Sequence, residues 1–324
     1  MIWILWHRRL GDLNQMQDLV HSLGGPFVVK KLQFRKPLYA PVARLAGGSD
    51  QLTEPWPEMI FCAEALTSVI AQRVKKLSGG KIKIISLARP SGDVRNFDLV
   101  LTTAQYRLQN LPHVVELSLP LTKPAPSKTA KIKSIAALVG ASSPPEVLDV
   151  AAAKDMVEAL KAKAEQSISR LKIVTSPRTS GEVARVFSNS IHAPHQVFVW
   201  SKDRENPYQK IVCEAHEVVV TSDSVSMLAD GLAAGKPVSV YRLPRKFSPL
   251  QKLVEWFFLR WPQNYIFRSG HIEPATDRWL LIEKLIKAGH VRWFGDADMQ
   301  HIPFDPQHDL DLAVAAIKRL NSPR

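Results

Sequence analysis

The chain has only two cysteines, Cys62 and Cys213, far apart and both within apolar segments. That excludes a disulfide framework, and two buried free thiols in a reducing cytoplasm are the expected arrangement. No cluster of Cys and His has metal-ligand spacing, so no metal site is expected. No apolar run approaches the roughly 18–20 residues that cross a bilayer. Met1–Trp6 is apolar but far too short for a signal peptide, and two arginines follow it. The expected location is cytoplasmic, with at most peripheral contact on the inner face of an anionic membrane. No RNP, zinc-finger or helix-turn-helix signature occurs, so no nucleic-acid partner is expected. A Gly-x-Ser-x-Gly elbow and a Walker loop are equally missing, and His192, His195 and His216 lack a nucleophile with an obvious partner. Hydrolase and NTPase chemistry therefore have no support.

Acidic residues are outnumbered. Forty-three Lys and Arg face 30 Asp and Glu, a net charge of +13, which favours anionic partners such as phosphorylated substrates. At 324 residues and 45% apolar, the chain is sized for two cores rather than one. Short β-rich runs alternate with helical periods from end to end, the pattern of parallel sheets with crossover helices. In the first half, strands are expected at Ile2–His7, Phe27–Leu32, Met59–Ala63, Lys83–Leu87, Leu99–Thr102 and Val114–Leu117, with helices at Asn14–Leu23 and Ala65–Leu77. Pro120–Lys133 is rich in Pro, Lys, Ser and Thr without apolar periodicity and reads as a linker. In the second half, strands are expected at Ser134–Val139, Lys172–Thr175, Val197–Trp200, Glu217–Thr221 and Pro237–Tyr241. A helix is expected at Lys154–Ser167, with others starting near Ser180, Pro207 and Ser226. This gives an N-terminal Rossmann-like domain over 1–122, a linker over 123–133 and a C-terminal Rossmann-like domain over 134–304. An amphipathic helix in 305–324 would cross back to the first domain, an α/β arrangement that resembles, as a fold-level analogy only, the architecture of GT-B enzymes.

Three strand-to-helix loops carry the chemistry. Arg8-Arg9-Leu10-Gly11-Asp12-Leu13-Asn14-Gln15 follows the first strand. Gly11 would let backbone approach a ligand, and Asp12 reads either as a general base for a hydroxyl nucleophile or as a helix cap. Thr175-Ser176-Pro177-Arg178-Thr179-Ser180 brings hydroxyls, a guanidinium and a helix start to the equivalent place in the second half, a combination suited to a diphosphate, the alternative being Ser180 as a helix cap and Arg178 as a solvated charge. Ser222-Asp223-Ser224-Val225-Ser226 crowds hydroxyls onto the next helix start, with Asp230 one turn in; this reads either as a site where Asp230 accepts both hydroxyls of a ribose or as a well-capped helix with Asp230 favouring its dipole. Asp296-Ala297-Asp298 has the form of a metal-binding D-x-D but lacks its strand context and reads as coincidence. Arg245–Trp261 packs aromatic and aliphatic residues against Arg245, Lys246, Lys252 and Arg260. It suits either a membrane interface or core packing, and a buried or partly buried helix is the expectation. Lys123, Lys128, Lys131 and Lys133 read as a solvated run.

Taken together the loops resemble the mitochondrial-fission (elongated mitochondria) family, which includes bacterial members of lipo-oligosaccharide glycosyltransferase type. The matching residues are Gly11-Asp12 with Asn14-Gln15, Ala88-Arg89-Pro90, Thr175-Ser176-Pro177-Arg178-Thr179, Asn206-Pro207-Tyr208, Thr221–Met227, Gly235-Lys236-Pro237 and Gly289-His290-Val291-Arg292. Ala88 replaces the glycine of the more usual Gly-Arg-Pro. The resemblance implies a metal-independent GT-B glycosyltransferase with no cofactor beyond the nucleotide-sugar substrate. Thr175, Ser176, Arg178, Thr179, Tyr208, Ser222, Ser224, Ser226 and Asp230 would hold the donor. Gly11, Asn14, Gln15 and Arg89 would meet a glycan or lipid-linked acceptor, with Asp12 as base. Plant members of the family look like adaptors in organelle fission, so the resemblance also implies an alternative, a scaffold on the same fold; a sugar-nucleotide epimerase is a third reading.

Overall fold

Strands buried on both faces read as near-continuous apolar runs, and Met59-Ile60-Phe61-Cys62 and Ser134–Val139 are buried at every position. A computed structural model describes residues 1–35, 44–63, 65–108, 110–125, 128, 130–203, 205–262, 274–297 and 301–321. The first sheet contains β1 (Ile2–Trp6), β2 (Phe27–Lys31), β3 (Met59–Cys62), β4 (Lys83–Leu87), β5 (Leu99–Thr103) and β6 (Val114–Leu117) in the order β2-β1-β3-β4-β5-β6. The second contains β7 (Ser134–Val139), β8 (Arg170–Thr175), β9 (Gln196–Phe198), β10 (Glu217–Thr221), β11 (Val238–Tyr241) and β12 (Val291–Trp293) in the order β12-β11-β10-β7-β8-β9. All of the pairings are parallel. The chain is therefore α/β with two Rossmann-like sheets, as expected.

The chain divides into two compact units. Met1–Leu121, Pro249–Asp277 and Gln307–Arg324 make up the first, and Thr122–Ser248 with Arg278–Pro306 the second. In the first, the period-2 alternation of β1 sorts its side chains between two helical layers. Ile2 and Ile4 pack with Met16, Leu19 and Val20 of α1 (Leu10–Leu23) and with Leu310, Ala313 and Ile317 of the C-terminal helix Pro306–Asn321. Trp3 and Leu5 pack with Ile70, Ala71 and Val74 of α2 (Ala65–Leu77) on the opposite face. The C-terminal helix thus closes the core of the first sheet. The buried carboxylate of Asp309 pins its start, accepting from Ser118 N at 3.2 Å and Leu119 N at 3.0 Å.

In the second unit, Ile135, Ala137 and Val139 of β7 pack with Met156, Val157 and Leu160 of α3 (Val150–Gln166) and Phe187 of α4 (Gly181–Ser190). The remaining helices there are α5 (Tyr208–Glu214), α6 (Val225–Ala233) and α8 (Arg278–Lys287); α7 (Pro249–Arg260) and α9 (Pro306–Asn321) belong to the first.

Several boundaries move. α1 begins at Leu10, a turn before the expected Asn14, so Gly11 and Asp12 are helical. α3 begins at Val150 because Asp149 caps it, accepting from Ala152 N at 3.0 Å. The helix within Arg245–Trp261 is confined to Pro249–Arg260. α8 and β12 have no counterpart among the expected elements. The expected linker is stitched to the second unit: the N–H groups of Ala125, Lys128 and Ala130 donate to Ala233, Cys213 and Glu214, carbonyls at the ends of α6 and α5.

Candidate functional site

In the second sheet the chain builds outward from β7 through β8 to β9, then returns to the other side of β7 with β10, β11 and β12. The reversal lies between β7 and β10, where the loops diverge and open sheets of this order bind ligands. Two contacts lock those loops together. Gly140 N donates to Thr221 Oγ1 at 2.8 Å, and Ala141 N donates to Asp223 Oδ2 at 2.9 Å. A Cβ at Gly140 would stand 2.3 Å from Asp223 Oδ2, so the glycine is required by space.

The Asp223 carboxylate is buried, and its Oδ1 has no hydrogen-bond partner among the described residues. Burial pushes its pKa up, with the Ala141 N–H as the largest of the opposing influences and Arg178 and Arg278 adding smaller ones. The Arg178 guanidinium lies 3.6 Å from Asp223 Oδ2, yet its side chain is 57% exposed. A buried acid thus holds an accessible cation in the loop at the carboxyl end of β8.

The hydroxyls divide into two groups. Thr179 Oγ1 sits 2.6 Å from Gly140 O and accepts from Ser176 N at 2.9 Å, while Ser176 Oγ accepts from Arg178 N at 3.2 Å. Thr175 Oγ1 accepts from Trp200 N, and Ser222 Oγ from Leu243 N. These four shape the loops, their side chains engaged with backbone. Ser180 caps α4, accepting from Val183 N. Ser224, at the start of α6, makes no cap bond with its side chain, and Ser226 is exposed in the first turn. The first-turn N–H groups of α6 have no intrahelical acceptor, and of the two serines beside them Ser224 is buried and Ser226 exposed.

Asp230 lies on α6 within reach of α5. Tyr208 Oη donates to Asp230 Oδ2 at 2.6 Å, and Asn206 Oδ1 accepts from Tyr208 N at 3.0 Å, fixing the start of α5. Burial raises the pKa of both groups, and the neighbouring carboxylate raises the phenol further, so the tyrosine stays a donor. The second carboxylate oxygen of Asp230, Oδ1, takes no part in that bond. Beside α5 a cleft of about 280 Å³ is lined by Val199, Trp200, Glu205, Asn206 and Pro207.

A second buried anion in this unit is absent from the residues expected to matter. Glu146 is fully buried, with Arg278 Nη1 at 2.7 Å from its Oε2 and Arg245 Nε at 3.6 Å from its Oε1. Burial outweighs both arginines and holds its pKa above the ordinary value. Arg278 also donates to Ser143 Oγ at 2.8 Å. The acid and its arginines are about a hundred or more positions apart and share no local pattern.

In the first unit, Gly11, Asp12, Asn14 and Gln15 all lie on the first turns of α1, at the carboxyl end of β1. Asp12 is the acidic residue of that first turn, while the N-cap position is Arg9. Gly11 has nothing within 4 Å of a built Cβ. Arg89 follows the carboxyl end of β4, which β3 separates from β1. Just before it, Ala88 adopts φ 64°, the conformation in which glycine would be at ease.

Other candidates resolve simply. His195 Nδ1 accepts from Leu171 N and His216 Nδ1 from Ser134 N, both at the amino edge of the sheet. Asp296 lies in the turn after β12, and Asp298 falls outside the described residues. Among the described residues no group of three or more His, Cys, Asp or Glu is placed to hold a metal ion. Cys62 is buried and its thiol is pushed up to about 12, whereas Cys213 is only half-buried. Among the described residues no helix is long and apolar enough to cross a membrane.

The family model described as "Mitochondrial fission ELM1" matches residues 11–257. Mitochondrial fission protein ELM1 of Arabidopsis thaliana is 33% identical over 70 residues, 22% of this chain and 16% of that protein. An uncharacterized protein of Rickettsia prowazekii (strain Madrid E) is 32% identical over 78 residues, 24% of this chain and 22% of that one. The matched segments thus span under a quarter of either relative. A candidate UDP-N-acetylglucosamine 2-epimerase of Listeria monocytogenes superposes over 100% of this chain and 97% of its own, with a TM-score of 0.53 and 12% identity. That likeness establishes the GT-B type of fold.

Proposed function

The chain belongs to the mitochondrial fission ELM1 family, and we propose that it transfers a sugar from a nucleotide-sugar to a hydroxyl of a glycan or lipid-linked acceptor, as in cell-envelope lipopolysaccharide assembly. One observation carries this reading: at the switch point of the second sheet, the buried Asp223 holds an exposed Arg178 beside the start of α6. Arg178, the first-turn N–H groups of α6, and Ser224 and Ser226 receive the diphosphate. They stabilise the charge that develops there as the bond from the anomeric carbon to the phosphate oxygen breaks. Asp230, braced by Tyr208, offers its free oxygen to the ribose, and the cleft at Val199–Pro207 accommodates the base. Ser176, Thr179, Thr175 and Ser222 act one step back, by shaping the loops that position Arg178. Asp12 takes the proton of the attacking hydroxyl, and Gly11, Asn14, Gln15 and Arg89 orient the acceptor. The fold neighbour, named for action on a uridine-diphosphate sugar, is compatible with a donor of that class.

The Arabidopsis relative is named for mitochondrial fission, and this favours a second reading, a non-catalytic adaptor. Thermal stabilisation by UDP, GDP, CMP, dTDP and their sugars separates the two. Ligand at a hundredfold excess over Kd adds about 2.7 kcal/mol. The transferase reading expects one nucleotide to stabilise the protein, Arg178→Ala to remove the effect, and sugar transfer to need an acceptor. If every nucleotide leaves the transition unmoved, the adaptor reading takes its place; turnover without an acceptor would mean epimerisation.

A further inference from the structure

The chemistry proposed above makes no use of α7, although it is the most unusual surface of the first unit. Soluble helices turn their apolar side inward. In α7 the arrangement is inverted. The inward side carries the buried Phe258 and the carboxylate of Glu255, which receives Arg107 through two bonds of 2.8 and 2.7 Å and Ala275 N at 3.0 Å. The Arg107 guanidinium also lies 4.9 Å from the Phe258 ring. With that side clamped, Leu250, Leu253, Trp256, Phe257, Leu259 and the following Trp261 face outward at 69, 52, 48, 43, 74 and 49% exposure. This corrects the expectation of a buried or partly buried stretch. At 3.6 residues per turn Leu250, Leu253, Phe257 and Trp261 fall in one row, and Trp256, Phe257 and Trp261 form a cluster with ring separations of 4.9–5.9 Å.

Charge identifies what this surface fits. The helix has a single acid, Glu255, and it is turned inward and neutralised. Lys252 and Arg260 both lie on the exposed side, Arg260 over the Trp256 ring at 5.1 Å. A second copy of the same face would bring four cations together with no acid on the helix to meet them. An anionic bilayer supplies both an apolar layer for the leucines and rings and phosphates at the level of the cations, and indole rings favour that boundary.

We propose that α7 is a membrane-docking helix that lies in the interface of an anionic bilayer, apolar side down, with Lys252 and Arg260 among the headgroup phosphates. The inference stands independently of the nucleotide-sugar reading. Its test is co-sedimentation of the whole protein with phosphatidylcholine vesicles made with and without phosphatidylglycerol, alongside light scattering of the protein alone. The wild type is expected to bind the anionic vesicles. The variant Leu253→Ser with Phe257→Ser and Trp261→Ser, altered only at exposed positions and checked by circular dichroism, should partition at least about tenfold more weakly. Lys252→Glu with Arg260→Glu should lose the preference for phosphatidylglycerol. Failure of the wild type to bind either vesicle, or equal binding by the serine variant, overturns the proposal. So does a dimer that the serine variant dissociates, which would make a second copy the occupant.

Discussion

Ala88 shows how a single residue can be legible in sequence before its reason is visible. Its place before Arg89-Pro90 marks it as a departure from the Gly-Arg-Pro of the resemblance, and φ 64° is a backbone conformation that glycine adopts without strain. An L side chain in that region costs about 1–2 kcal/mol, partly offset by the entropy that glycine adds to the unfolded chain. Ala88→Gly should therefore stabilise the protein by up to about 1 kcal/mol, read as a higher urea midpoint. Asp223 gives the complementary case, visible as part of a hydroxyl-rich loop while its burial is not. With its folded pKa raised, the native state binds more protons than the unfolded chain in the window above the ordinary value of 3.8. Its contribution to stability is complete below 3.8 and is lost as pH rises through the folded value. Asp223→Asn should flatten that part of the stability profile, measured by urea unfolding from acid to neutral pH. The hydroxyls teach the same lesson. Thr175, Ser176, Thr179 and Ser222 are recognisable as a set, but whether an oxygen faces a ligand or a backbone N–H depends on loops that close only in three dimensions.

At the scale of elements, the buried strands are readable because parallel sheets covered on both faces need continuous apolar runs. β9 and β12 are both edge strands of three residues; β9 is legible because Val197-Phe198-Val199-Trp200 is one continuous apolar run, whereas in β12 Arg292 separates Val291 from Trp293. α7 is recognisable as apolar and basic, but periodicity states only that a helix has two sides. Which side turns inward is decided by Arg107, more than a hundred residues away. The contrast between α7 and α9 can be measured. Ile317 of α9 is fully buried, and Ile317→Ala should cost about 2–5 kcal/mol in urea unfolding. Leu259 of α7 is 74% exposed, and Leu259→Ala should stay within about 0.5 kcal/mol of the wild type.

For the whole molecule, two sheets and their helices are inferable from the alternation of runs, and the GT-B type of fold follows. The path of the chain is harder to foresee. The unit built on the second sheet is interrupted by Pro249–Asp277, and the unit built on the first sheet is assembled from three separate stretches. Its core cluster includes Leu310, Ala313 and Ile317. This has a consequence for synthesis, which runs from the amino end and normally lets the leading domain fold first. Here the first sheet, whose last strand ends at Leu117, leaves the ribosome with that apolar layer covered by α1 alone, and the rest of its cover, α9, begins only at Pro306. Among the described residues the second sheet has its six strands as soon as Trp293 has emerged, before α9 has been made, so of the two units the one begun first is completed after the other. Until α9 is made, the part of the first sheet's core that it seals is left without that cover.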